Sequence, residues 1–403
     1  MSAVNVGVLI EAALEAAGLS QRGLADATGI SQSTLSRIIA GDRVAKLPEI
    51  VLIAQATGHT VAQLTGTSLV ADRAQCAARA TNDSGMDAMR QALLHFLELD
   101  SYLDDQAIPA AAGSGSQLMN AELDGQAAAE QFRAQHHLGV QPLGDLVAII
   151  EQATGLDVAV LHAGPDEHGM TMRDPKRGAV FIGVARTLNP MRQRSTLAHE
   201  LGHVLFGDWV DESSGDWSAR TPIERRADAF ARHLLIPQAG LAQFLDDRDP
   251  SSLATLSSIA QRFLVSPALA AIALHQGKFI GTSVKEDWKR WSTPQLAVRF
   301  GWTDHYHVLQ ADADQRRAPQ RLLARAVSGY IEGVLPARAI ATLRGISLDD
   351  VELELREADV VPHQPTVAWT AADDLPEVDI DLSDLDDGDA SSEPGPGQRR
   401  HDR

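Results

Sequence analysis

Over the first 66 residues apolar positions recur at helical spacing, and glycines interrupt them at short intervals. Leu9 to Gly18 reads as a helix closed by its glycine. Ser20 can cap a second helix over Gln21–Thr28, which stops at Gly29. Ser31 can cap a third over Gln32–Ala40, which stops at Gly41. Leu24, Ala25, Ile30, Leu35, Ile38 and Ile39 supply the apolar positions between them. Helices over Pro48–Thr57 and Val61–Gly66 complete a five-helix unit, and two short helices around a glycine turn are the helix-turn-helix pattern. Further on, Met86, Met89, Leu93, Leu94, Phe96, Leu97 and Leu103 keep near-helical spacing and predict a helix packed on a neighbour. Ile108 to Ser116, rich in Pro, Ala, Gly and Ser, reads as a linker. Gln193 to Phe206 contains no proline and predicts a longer helix. Thr221 and Pro222 mark the start of the next, as its cap and its first residue.

Composition divides the chain further. Its 403 residues suggest two or three domains. Residues 1–66 form the helical unit, 67–140 a helical connector with the linker, 141–276 the segment densest in chemistry, and 277–370 a helical C-terminal region. The net charge of −19 argues against coating nucleic acid by bulk electrostatics. Much of that charge sits between Asp373 and Asp389, which hold nine acidic residues and no basic one. Residues 371–403 therefore read as a disordered acidic tail. Cys76 is the single cysteine, so an internal disulfide and any zinc site with several thiolates are excluded. No apolar run approaches the roughly 18–20 residues that span a bilayer. The N-terminus carries Glu11 and Glu15 and lacks the basic start of a signal peptide. The expected location is the cytoplasm, without a membrane partner.

The third helix displays Gln32, Ser33, Thr34 and Arg37 near its N-terminal half. Gln and Arg can grip base edges with two hydrogen bonds, and Ser or Thr can bond to bases or phosphate. Arg22, Arg43 and Lys46 flank the motif and could sit on phosphates. Residues 1–66 hold four basic and five acidic side chains, so a helical module that binds protein is the competing reading. The run from Leu19 to Gly41 closely resembles the Xre/Cro-repressor-like helix-turn-helix family. That resemblance implies base reading by Gln32, Ser33 and Arg37, a phosphate contact at Gln21, and a homodimer on a two-fold DNA operator.

His199-Glu200-Leu201-Gly202-His203 is an H-E-x-x-H motif. On a helix, residues four apart project about 40° from one another, so both imidazoles can reach one cation. Glu200 lies about 100° from His199 in projection; it can hold a water at the metal instead of the metal itself. Two imidazoles leave a tetrahedral site incomplete. Glu224 and Asp228, also four apart, offer one carboxylate for the metal and a second to hydrogen-bond a ligand histidine. His199, His203, Glu224 and one water would make a catalytic zinc (Zn2+) site. Taken alone, Glu224 and Asp228 would equally suit an exposed helix face paired with Arg225 or Arg232. His233, nine positions after Glu224, falls on the opposite side of the same helix.

Ser195 to Gly207, followed by Glu224 to Pro237, resembles the ImmA/IrrE family of metallopeptidases. The matching region includes a helix at Leu143–Thr154 and strand-like runs at Val158–Leu161, Thr171–Arg173 and Ala179–Ile182. The resemblance implies a gluzincin-like zinc domain with a small sheet ahead of the active-site helix. The whole chain is then mainly α with a small β-sheet, an α+β protein. Asp228 departs from the asparagine common in the family, yet a carboxylate can still orient a ligand histidine. The implied function is a DNA-binding transcriptional regulator whose domain, with Glu200 as general base, cleaves or relieves a regulatory protein. The alternative is an Xre-type antitoxin or ligand-sensing repressor that binds a partner, such as a toxin, without proteolysis.

Overall fold

The structure, a computed structural model, describes residues 6–59, 61–66, 70, 73–77, 87–103, 119–164, 167–209 and 221–363. Its first five helices are α1 (Val6–Ala16), α2 (Gln21–Thr28), α3 (Gln32–Ile39), α4 (Leu47–Thr57) and α5 (Val61–Thr65). Their ends follow from capping. Ser20 Oγ accepts from the Gly23 amide at 3.0 Å, and Gly29 closes α2 at a left-handed φ of 71°. Ser31 Oγ accepts from the Thr34 amide at 3.2 Å. Ile10, Leu14, Leu24, Leu35, Ile38, Ile50, Ile53 and Leu64 bury one another in a core of their own. The unit therefore has its own source of hydrophobic stabilisation.

The next elements are β1 (Gln75–Cys76), α6 (Asp87–Tyr102), α7 (Ala121–Gln135), α8 (Leu146–Thr154), β2 (Asp157–Leu161), β3 (Gly169–Asp174) and β4 (Ala179–Ala185). They lead into α9 (Pro190–Phe206) and α10 (Pro222–Leu235). The four strands form one mixed sheet in the order β1-β3-β4-β2. β2 runs parallel to β4, whereas β3 is antiparallel to β4 and to β1. β1 has no counterpart among the expected strands, because two residues are too few to show a period.

Side chains alternate across a strand, and this sheet buries both faces. Val158, Val160, Val180, Ile182 and Val184 pack with Leu197, Leu201 and Val204 of α9. Ala159, Leu161, Met170, Met172 and Phe181 face the other way, onto Leu93, Phe96 and Leu97 of α6. With both faces covered, period-2 alternation between apolar and polar residues is lost in β2 and β4, which is why those two strands read as nearly continuous apolar runs.

Among the described residues nine further helices follow: α11 (Gln238–Leu245), α12 (Leu253–Phe263), α13 (Pro267–Gln276), α14 (Thr282–Trp288), α15 (Thr293–Arg299), α16 (Thr303–Ala313), α17 (Gln320–Ile331), α18 (Ala337–Arg344) and α19 (Leu348–Glu357). Leu256, Ile259, Phe263, Leu274, Leu296 and Trp302 join the α9 core, while Leu322, Ala326, Ile340 and Leu343 join the α6 core. The C-terminal helices thus complete the cores on the two faces of the sheet. The helix-turn-helix unit docks on them. Thr342 Oγ1 of α18 donates to the Thr57 carbonyl at 3.1 Å, and the Gln63 amide meets His95 Nδ1 at 3.0 Å. Between them Gly58 turns at a φ of 72°, and a Cβ there would lie 2.7 Å from Thr342 Oγ1. The His59 and His95 rings lie 4.8 Å apart at the same junction.

Among the described residues no single helix is long and apolar enough to cross a membrane. The pair α12 and α13 passes by composition, but is bent by 107°. The expected linker after Ile108 and the acidic tail lie outside the described residues.

Candidate metal centre

α9 begins at Asn189, whose side chain accepts from the Arg192 amide at 3.2 Å, and Pro190 takes the first helical position. α10 begins as its sequence predicts, with Thr221 Oγ1 accepting from the Glu224 amide at 3.2 Å. The two helices cross closely because Gly202 has no side chain. A Cβ there would lie 3.1 Å from Phe230 Cδ1 and 3.4 Å from Ala227 Cα. From behind, α7 presses on α10 at Gly125, where a Cβ would lie 2.6 Å from the Arg226 carbonyl oxygen. Glu122 of α7 accepts from His233 at 2.9 Å and from Arg232 at 2.5 Å. His233 is therefore turned toward α7.

This packing brings His199, His203 and Glu224 together, with one donor atom of each within 4.8 Å of the others. The two Nε2 atoms face each other at 3.0 Å. Glu224 lies 3.3 Å from His199 Nε2 and 3.7 Å from His203 Nε2. Each imidazole is held from its other nitrogen. His199 Nδ1 donates to Asp228 Oδ1 at 3.0 Å, and His203 Nδ1 donates to Asp208 Oδ2 at 3.1 Å. With Nδ1 protonated, a neutral ring presents its Nε2 lone pair. Two such lone pairs and a carboxylate converging on one point repel unless a cation joins them. Two imidazoles with one carboxylate suit a divalent ion of the zinc type.

Burial pushes the His199 imidazole down, but hydrogen bonds to Asp228 and Glu224, helped by the charge of Glu200, hold its pKa up at about 10. A cation that takes this Nε2 must displace the proton that the carboxylates attract. Burial pushes the Glu200 carboxyl up, and the two histidines together with Thr171 pull against it. Thr171 donates to Glu200 Oε2 at 2.8 Å.

Asp208, Arg226 and Thr171 escape the sequence reading. Asp208 lies five residues beyond His203 and comes back to it because Gly207 turns left-handed, at a φ of 67°. Its other oxygen accepts from Arg226 at 2.6 Å, and that buried guanidinium lies over the Phe206 ring at 4.1 Å. The Gly-Asp pair just after the helix is the one local signal that could have exposed it.

In the helix-turn-helix unit, Gln32, Ser33 and Arg37 are exposed on α3, whereas Gln21 and Thr34 are half-buried. Thr34 Oγ1 accepts from Ser31 Oγ at 2.9 Å, so its hydroxyl belongs partly to the helix cap. Arg43 is half-buried and pairs with Glu49 at 2.8 Å.

A helix-turn-helix unit joined to a helix pair that presents two histidines and a glutamate defines a class: a DNA-binding domain fused to a metallopeptidase-type domain. Comparison with known proteins agrees. Residues 10–64 match the helix-turn-helix family, and residues 154–275 match the IrrE N-terminal-like domain family. Over 148 residues the chain is 28% identical to the radiation response metalloprotease IrrE of Deinococcus radiodurans. That alignment covers 35% of this chain and 43% of the relative, less than half of its length. The chain thus carries a helix-turn-helix DNA-binding domain followed by an IrrE-like metallopeptidase domain, and this domain family implies a divalent metal.

Proposed function

We propose that this chain is a cytoplasmic regulator that binds an operator as a homodimer and cleaves a peptide bond in a regulatory protein, with one zinc ion on His199, His203 and Glu224. The convergence of two Nε2 atoms 3.0 Å apart on a carboxylate carries this reading. Zinc, when bound, supplies Lewis-acid polarisation of a peptide carbonyl and lowers the pKa of water. Asp228 and Asp208 keep the two rings turned with Nε2 toward the ion, as carboxylate partners of ligand histidines do. Glu200 takes the proton from the attacking water and returns it to the leaving amine. Burial raises its carboxyl, which favours its taking up the proton. On α3, Gln32, Ser33 and Arg37 read base edges. Gln21, Thr34 and Arg43 serve the backbone, where a phosphate must compete with Glu49 for Arg43. Exposed Val44 and Leu47 give the homodimer an apolar contact beside the recognition helix.

The test combines metal analysis with one substitution. Wild-type chain should hold about one zinc, following the rule of three protein ligands and an open position. His203→Ala and Glu224→Ala should lose it, and Glu200→Gln should keep it. Incubated with a lysate of its own host, wild type should create new protein N-termini that Glu200→Gln does not. Identical behaviour of wild type and Glu200→Gln, with metal bound in both, would move the domain to partner binding without turnover. Failure of the wild type to bind any divalent metal would remove the site itself.

A further inference from the structure

β3 lies directly over the Glu200 side chain. Positions 169 and 171 share one face of that strand, since side chains alternate. Met170 and Met172 point the other way, into the α6 core. Thr171 is fully buried, and its hydroxyl donates to Glu200 Oε2 at 2.8 Å. Two residues earlier, Gly169 lets the strand pack closely on Thr196 and the same Glu200 side chain. A Cβ there would collide with Thr196 Cγ2 and lie 3.1 Å from Glu200 Cγ and 3.3 Å from Glu200 Oε1. The strand is itself pinned. β3 pairs with β4 on one side, where Thr171 stands opposite Ile182, and with β1 on the other. The Thr171 carbonyl also accepts from the Ala77 amide at 2.9 Å.

We propose that Thr171 is a positioning residue for Glu200, and that Gly169, bare of a side chain, lets the strand come close enough for the Thr171 hydroxyl to reach it. The inference rests on the reading of Glu200 as the base. A hydroxyl has one proton to donate, so Thr171 occupies one oxygen and fixes the plane of the carboxylate. Oε1 is the oxygen that Thr171 does not engage. A base swinging freely on a two-carbon stem would spend less time in the productive geometry; a donor on a paired strand removes that freedom.

The experiment uses the full-length zinc-loaded chain with Thr171→Val, Thr171→Ser and Glu200→Gln. Valine keeps the shape of threonine and removes the donor, and serine keeps the donor. In Thr171→Val, zinc content and melting temperature should stay close to wild type, while a crystal structure should show the Glu200 carboxylate turned away from position 171. Against a purified protein that the wild type cleaves in host lysate, kcat should fall roughly 10- to 100-fold with KM little changed, the scale expected for a misplaced catalytic group. Thr171→Ser should restore most of the rate. An unmoved Glu200 and wild-type turnover in Thr171→Val would overturn the proposal, as would a loss that serine does not rescue. If the wild type cleaves nothing, the peptidase reading falls on its own, and the position of Glu200 in the Thr171→Val crystal structure still decides what Thr171 does.

Discussion

The helix-turn-helix unit and the candidate metal centre solve opposite problems. The first is assembled within sixty consecutive residues, with caps, glycine stops and an apolar core all drawn from the same short stretch. The second takes its groups from α9, α10, the turn after α9 and strand β3, and depends on α7 and the sheet to hold those elements together. A site of local origin tolerates change elsewhere in the chain. One of distributed origin can be lost by a substitution that touches none of its ligands.

The largest expected effect sharpens this contrast. Gly125→Val, on α7, would drive a branched side chain into the backbone of α10, where a single Cβ already meets Phe230 N at 2.7 Å. Overpacking of a close helix contact typically costs about 1–3 kcal/mol and more where backbone must move. Zinc content should fall although no ligand is altered, whereas DNA binding should persist. Leu35→Ala is the reciprocal change. It empties a fully buried position of the N-terminal core and should cost about 2–5 kcal/mol there, removing DNA binding while zinc stays bound. Thermal melts with zinc analysis and electrophoretic mobility shifts on both variants check the pair. Loss of both functions in either variant would show that the two regions fold as one.

A smaller effect tests the junction between them. Burial holds His59 down to about 4, against the pull of its bond to the Thr57 carbonyl. Burial first, then the charges of His59 and Arg316, hold His95 well below the ordinary value. Between about 6.5, where a free histidine titrates, and about 4, the undocked form binds the proton and the docked form does not. Docking should therefore be at full strength above that window and weaken as the pH falls through it. Protease accessibility of the junction, measured from pH 7 to pH 4, should rise in wild type and rise less in His59→Gln.

The smallest effect lies on DNA. Arg37→Ala should cost about 1–3 kcal/mol at the preferred operator and relax specificity at one position. Arg43→Ala should lose less, because that guanidinium is shared with Glu49. Binding titrations over a range of salt separate the two: the base contact changes sequence preference, and the phosphate contact changes the salt slope.

The sequence by itself determined the elements whose causes are local. Ser20, Gly29 and Ser31 bounded α2 and α3 to within a residue, whereas α1 starts at Val6, three residues ahead of the expected Leu9, and Thr221 with Pro222 opened α10 where expected. His199, His203, Glu224 and Asp228 could be marked because a spacing of four on a helix fixes a shared face whatever surrounds it. The tertiary structure decided everything that depends on distance through space. It chose Asp208 for His203, since one left-handed glycine reverses the chain, a turn that residue spacing does not encode. It added β1, whose two residues carry no period, and covered both faces of the sheet with helices from either end of the chain. It set Thr171 over Glu200, 29 residues apart, through the pairing of strands. Short-range order follows from backbone sterics and capping, which each segment carries with it. The meeting of a hydroxyl and a carboxylate follows from how apolar faces are jointly buried, and that is a property of the whole chain.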